Sequence, residues 1–247
     1  MLRNTLCFLL VLSLLAAGTF LSGCEPETTV PKENGRNTVN DTYRSPAGAK
    51  TRTAVPPEQR VEPSREPEDF VDLGEYVPEL EVELVYYTEH NFTGRKLYDD
   101  PRAYLRRGTA EKLKKVLAEV AQRGYRLKIW DAYRPPRVQF EMWAVAPDSR
   151  YLVNPHKGYS PHSRGCAVDV TLIDSSGREL DMPSGFDEFS PKADRDYSDV
   201  TPTRAANSRY LEEVMVRHGF ISIRSEWWHF VDSEKEKYGV VEEVRIP

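Results

Sequence analysis

The chain has 247 residues, with 34 Lys and Arg against 39 Asp and Glu, for a formal net charge of −5. A nucleic-acid-binding domain has a pI above about 9, and the pI here is near 5.7, so that class is excluded. Hydrophobic residues make up 39%, below the roughly 45–50% of a globular domain, so part of the chain stays outside any folded core.

The amino terminus accounts for some of that deficit. Arg3 precedes the apolar run Cys7 to Leu21, which is 15 residues long. A membrane-spanning helix needs about 20, so the run fits the apolar region of a secretory signal. Leu21-Ser22-Gly23-Cys24 follows and resembles a bacterial lipobox, which implies cleavage after Gly23 and a lipid on Cys24. Residues 1–23 are therefore expected to be a lipoprotein signal peptide. The lipid would anchor the mature protein to a membrane without spanning it. Glu25 stands where inner-membrane lipoproteins often have Asp, which in a two-membrane host points to the periplasmic face of the outer membrane. Only Cys166 then remains as a free thiol, so an internal disulfide is excluded.

From Glu25 to Glu68 there are seven Pro and no Leu, Ile, Phe, Met or Trp. Such a segment cannot bury enough apolar area to offset its ordering entropy. Residues 24–68 are expected to be a lipidated Cys and a disordered Pro-rich tether. Composition changes at Asp69-Phe70, and all four Trp and all five His lie beyond it. Residues 69–247 are a comfortable length for one domain.

Within that domain, Glu81 to Tyr87 alternates apolar and polar residues and predicts a strand. Thr109 is a good N-cap for an amphipathic helix over Ala110 to Arg123, with Gly124 as its stop. Tyr125 to Asp131 predicts a strand. Pro135 and Pro136 suit the first turn of a helix running to about Ala144. Cys166 to Leu172 predicts a strand and Ala205 to His218 a helix. Phe220 to Arg224 and Trp227 to Val231 predict two terminal strands. There is no repeating βαβ rhythm, so the expected class is α+β, a sheet flanked by helices.

Three segments carry chemistry: Trp130 to Arg137, Ser160 to Asp169 and Ser225 to His229. A catalytic zinc takes three protein ligands and leaves one position open, and His162, Asp169 and His229 offer two imidazoles and a carboxylate. Asp169 sits on an otherwise apolar strand, where an unpaired carboxylate is expensive and a metal would satisfy it. Taken singly, each residue fits a packed or hydrogen-bonded side chain equally well, and the spacing does not decide. Glu226 strengthens the case as a base for a metal-held water. Positions i and i+3 of a regular strand face opposite ways, so Glu226 must sit on a bend to share a metal with His229. Arg134 precedes Pro135, which disfavours helix at Arg134 and places it at a strand-to-helix junction, where a guanidinium can hold a carbonyl oxygen or carboxylate. Cys166 has the parity opposite to Asp169 and reads as a packed core residue.

Together these segments resemble the VanX-type D-alanyl-D-alanine dipeptidases of the M15 zinc peptidases. The resemblance is carried by Asn91-Phe92-Thr93-Gly94, Trp130-Asp131-Ala132-Tyr133-Arg134-Pro135, His162-Ser163-Arg164-Gly165 and Glu226-Trp227-Trp228-His229. It implies a hedgehog/D,D-peptidase-like fold with a mainly antiparallel sheet. It implies one zinc per chain on His162, Asp169 and His229, Glu226 as general base and then acid, and Arg134 at the developing oxyanion. Asp187 matches a position holding the dipeptide's ammonium, and Ser160 and Tyr86 match positions lining the substrate pocket. The implied activity is hydrolysis of D-alanyl-D-alanine. A D,D- or L,D-carboxypeptidase trimming wall stem peptides and a non-catalytic zinc-containing wall-peptide binder are the alternatives. The best-known dipeptidases of this type are cytoplasmic and confer vancomycin resistance, whereas the lipobox predicts work in the cell envelope, in wall-peptide turnover.

Overall fold

The computed structural model describes residues 69–244, so the expected signal peptide and tether lie outside the described residues. Phe70–Asp72 (β1) pairs antiparallel with Tyr104–Arg106 (β3) as a small two-stranded sheet. The main sheet has the order β2-β4-β5-β7-β6. Its strands are Glu81–Val82 (β2), Arg126–Asp131 (β4), Ala167–Ile173 (β5), Phe220–Ile223 (β6) and Glu226–Asp232 (β7). Only the β2–β4 pair is parallel. Leu73–Tyr76 (α1), Arg107–Ala121 (α2), Pro136–Val145 (α3) and Pro202–Arg217 (α4) complete the α+β arrangement. No helix among the described residues is long and apolar enough to cross a membrane.

Every residue of β5 and of β7 is buried. These two strands sit side by side in the sheet, and both faces of each are covered. A polar side chain on either strand is therefore enclosed and needs a partner. That is the setting in which the sequence places Asp169 and His229.

Two sequence expectations are corrected. Only Glu81–Val82 of the expected strand Glu81 to Tyr87 pairs with β4, and Val85–Tyr87 forms a single 3₁₀ turn. The turn still buries Leu84 and Tyr86, so the apolar alternation is honoured without a ladder. The helix expected from Thr109 begins at Arg107, directly after β3. Thr109 is inside it and buried, and its hydroxyl donates to Asp232 Oδ2 at 2.8 Å. A buried hydroxyl answering a buried carboxylate looks like a cap in the sequence. The remaining predicted helices and strands fall within a few residues of their expected bounds.

Gly165 ends the 3₁₀ turn Pro161–Arg164 with φ +70°, and a Cβ there would meet the Phe70 ring at 2.2 Å. Gly165→Ala should therefore lose about 2–4 kcal/mol, combining a left-handed backbone penalty with overpacking. A lowered urea midpoint with unchanged slope would show this, and an unchanged midpoint would contradict it.

Candidate active site

Two irregularities in the sheet build the site. Between β4 and β5 the register shifts by one residue at Trp130, which brings Asp131 opposite Asp169. Between β6 and β7 the pairing runs Phe220↔Asp232, Ile221↔Val231 and Ser222↔Phe230, then jumps to Ile223↔Glu226. Trp227 to His229 are thus bulged out of the β6 ladder. This is the bend that a shared Glu226–His229 site requires, and Glu226 Oε2 lies 4.0 Å from His229 Nδ1. Bulges often re-aim side chains beside active sites in this way.

The donor atoms of His162, Asp169 and His229 converge. His229 Nδ1 is 2.9 Å from Asp169 Oδ1 and 3.2 Å from His162 Nε2, and His162 Nε2 is 3.5 Å from Asp169 Oδ2. Tetrahedral ligands about 2.0–2.1 Å from a zinc lie roughly 3.3 Å apart, so the spacing fits that metal. The His162 Nδ1–H donates to the Ala132 carbonyl at 2.6 Å. This fixes the tautomer and leaves Nε2 free to coordinate, the usual support for a ligating imidazole. All three residues are buried.

Arg134 is held rigidly at the edge of this set. Its Nε and Nη2 donate to Asp131 Oδ2 at 2.9 and 2.6 Å, and its Nη1 donates to Gln139 Oε1 at 2.9 Å. Nη2 also lies 3.7 Å from Asp169 Oδ2. Asp131 Oδ1 accepts from the Tyr98 hydroxyl at 2.5 Å and from Ala132 N–H at 2.9 Å. Ser160 caps the turn carrying His162 by accepting from His162 N–H at 3.3 Å. Asp187 has φ +55°, rare for a residue with a Cβ. Its Oδ2 accepts from the Tyr86 hydroxyl at 2.7 Å. A non-Gly residue held in this conformation is the kind of strain found at ligand sites.

Tyr86, Arg134, Ser160, His162, Asp169, Asp187, Glu226 and His229 all line one cleft. Cys166 does not. It is fully buried, its Sγ donates to the Pro161 carbonyl at 3.5 Å, and burial pushes its pKa up to about 12. Cys24 lies outside the described residues. Gln139, Tyr151, Val153 and Phe189, which carry no sequence signal, also line the cleft, as does Trp228 of the Glu226-to-His229 motif. Asp131 orients Arg134, and a carboxylate three residues before that Arg is its signal in the sequence.

Charge in the cleft is unevenly tuned. Burial opposes ionisation of Asp169, but the charges and hydrogen bonds of His162 and His229 outweigh it and hold the pKa below the usual carboxylate range. Burial lowers the pKa of His229 and favours its neutral, ligating form. Burial, then Asp169 and Asp187, push Glu226 well above an ordinary carboxyl. Burial raises Asp187 to about 7 despite the Tyr86 hydrogen bond. Two carboxyl groups drawn up while a third is drawn down is how enclosed sites assign acid, base and ligand.

A donor set ready for a metal, with a raised carboxyl beside it and an anchored guanidinium, defines a metallopeptidase cleft. The family follows from known proteins. The Peptidase M15 model, D-ala-D-ala dipeptidase, matches residues 66–243, and the chain belongs to that family. It is 40% identical over 162 residues to a D-alanyl-D-alanine dipeptidase of Escherichia coli K12, covering 66% of this chain and 83% of the relative. It is 32% identical over 182 residues to one of Enterococcus faecium, covering 66% of this chain and 90% of the relative. A solved LD-carboxypeptidase, LdcB, aligns over 70% of this chain and 72% of its own, with 21% identity and a TM-score of 0.40. The family assignment rests on the sequence relatives alone.

Proposed function

We propose that this protein is a zinc-dependent dipeptidase that cleaves D-alanyl-D-alanine into two D-alanines. The observation that carries the reading is the convergence of His162, Asp169 and His229 with Glu226 4.0 Å from His229, in a chain of this family. One zinc per chain on those three residues would supply Lewis-acid chemistry, polarising a carbonyl and lowering the pKa of a water.

The chain's own residues do the rest. Glu226 takes a proton from the attacking water as its oxygen bonds to the scissile carbonyl carbon. It returns that proton to the departing amine as the C–N bond breaks. A carboxyl whose pKa burial has raised suits both halves of this exchange. Arg134 faces the developing oxyanion, and Asp131 and Gln139 fix its fork so that little reorganisation is needed. Asp187, oriented by Tyr86, holds the substrate's free ammonium, and Ser160 closes the wall beside His162.

Recognition of a free ammonium separates a dipeptidase from a carboxypeptidase. The wild-type protein should hydrolyse D-Ala-D-Ala and reject its N-acetyl form and a wall pentapeptide. Asp187→Asn should raise KM by about tenfold or more, the effect of about 1.5–3 kcal/mol for a hydrogen bond to a charged group. Only ionised Asp187 pairs with the ammonium, and its raised pKa is about 7. KM should therefore climb as pH falls through that value and level off above it. Equal cleavage of the acetylated dipeptide would favour the carboxypeptidase reading.

We further propose a lipid on Cys24, which would hold the enzyme at the cell envelope on the periplasmic face of the outer membrane, in wall-peptide turnover. The Leu21-Ser22-Gly23-Cys24 pattern after an apolar run supports it. Cys24→Ser should leave the protein unprocessed or soluble. A wild-type membrane fraction whose amino terminus carries no lipid by mass spectrometry would contradict it.

A further inference from the structure

The bulge at Trp227 to His229 has a structural cost. Trp227 to His229 have no pairing residue on β6, and all three stay buried. Buried carbonyls need donors, and one side chain from a distant loop supplies them. Arg195 Nε donates to the Ile223 carbonyl at 2.8 Å. Its Nη2 donates to the Trp227 carbonyl at 2.8 Å and reaches the His229 carbonyl at 3.4 Å. Its backbone N–H donates to the Arg224 carbonyl at 3.0 Å. The guanidinium therefore touches both strands at the point where the register jumps, since Ile223 is the partner of Glu226. It is fixed in turn by Glu212 of α4, 3.3 Å from Nη1, and by the Phe230 ring, 4.7 Å from Cζ. Glu212 also accepts from the Ser222 hydroxyl at 2.6 Å, which ties α4 to the same hairpin. The Arg195 side chain is 7% exposed.

We infer that Arg195 is a positioning residue: its guanidinium braces the bulge that puts Glu226 and His229 on one face of the cleft. The inference rests on the dipeptidase reading only for its kinetic readout. The residue does not itself line the cleft or touch the donor atoms, and it acts through the backbone carbonyls of β6 and β7, including those of the cleft-lining Ile223 and His229. A planar fork with several N–H groups is needed to reach carbonyls on two strands, and a lysine ammonium has no such geometry. Without the brace, the three bulged residues are free to shift toward regular pairing. Alternation would then turn Glu226 away from His229.

The test compares Arg195→Ala, Arg195→Lys and the wild type as full-length zinc-loaded chains. Val116→Ala, a core truncation in α2 outside the cleft lining, serves as the stability control. Three quantities are read at a temperature where all variants are folded: zinc affinity by competition with a chelator, and kcat and KM on D-Ala-D-Ala. Support around a ligand set is worth about 10–100-fold in affinity or activity. Arg195→Ala should lose that much in both zinc affinity and kcat, with KM within a few-fold. Arg195→Lys, which keeps the ion pair with Glu212, should fall between it and the wild type, and methylguanidinium should partly rescue Arg195→Ala. Val116→Ala should lower the melting temperature and leave zinc affinity and kcat unchanged. If Arg195→Ala does not fold, Arg195→Lys alone decides, since wild-type zinc affinity in that variant overturns the inference. Losses in the Arg195 variants matched by Val116→Ala also overturn it. If the wild type fails to cleave the dipeptide, the dipeptidase reading fails, and zinc affinity still tests the brace.

Discussion

Glu226→Ala is expected to keep near-stoichiometric zinc and a near-native melting temperature while kcat falls by at least the roughly 10²–10⁴-fold of general acid–base catalysis. Glu226 lies 4.0 Å from His229 Nδ1, outside the 2.9–3.5 Å spacing of the three converging donors. It is close enough to reach a water between them and too far to belong to the set. Removing it also relieves a carboxyl that burial, Asp169 and Asp187 disfavour in its charged form, so stability should not suffer. His229→Ala removes one of only three ligands and should lose zinc along with activity. The two variants should both be nearly inactive and differ in metal content, which metal analysis after gel filtration reads directly. Wild-type turnover in Glu226→Ala would end the catalytic account. Zinc loss equal to that of His229→Ala would make Glu226 a ligand and reopen the role of Asp169.

Metal removal should have the second-largest effect, on stability as well as rate. A ligand bound only by the folded state at about 1,000 times its Kd stabilises it by about 4 kcal/mol. For a domain of this size each kcal/mol moves the melting temperature by about 2–4 °C, so a chelator should lower it by about 8–16 °C. The sign with pH follows from the ligands. Zinc requires neutral imidazoles, so the gap between loaded and stripped protein should be widest where His229 is neutral and shrink as acid protonates it. Burial lowers the His229 pKa, which delays that loss toward lower pH. Scanning calorimetry at several pH values checks both points. A melting temperature indifferent to chelation would contradict metal binding at this set.

The metal set was legible because its chemistry is local. A histidine and an aspartate near one another in sequence, with a second histidine on a late strand, carried the family pattern, and β5 and β7 lie side by side in the sheet. The need for a bend at Glu226 followed from strand parity alone. What the sequence did not reveal was how that bend is made. A bulge is a contest between ladder hydrogen bonds and competing donors, and its donor, Arg195, lies 31 residues before Glu226 in a loop with no periodicity. The shift at Trp130, which brings Asp131 opposite Asp169, was hidden for the same reason, because alternation assumes an unbroken register. The truncated β2 was misread because a 3₁₀ turn buried the same alternating residues as a strand would have.

A single zinc per chain should serve hydrolysis of the free dipeptide. The most direct measurement is D-alanine release from D-Ala-D-Ala as zinc is titrated into the metal-stripped protein. The rate should start near zero, rise with added zinc and saturate at one zinc per chain, with two D-alanines formed per dipeptide consumed. Full activity before any zinc is added, or no D-alanine at saturating zinc, would contradict it.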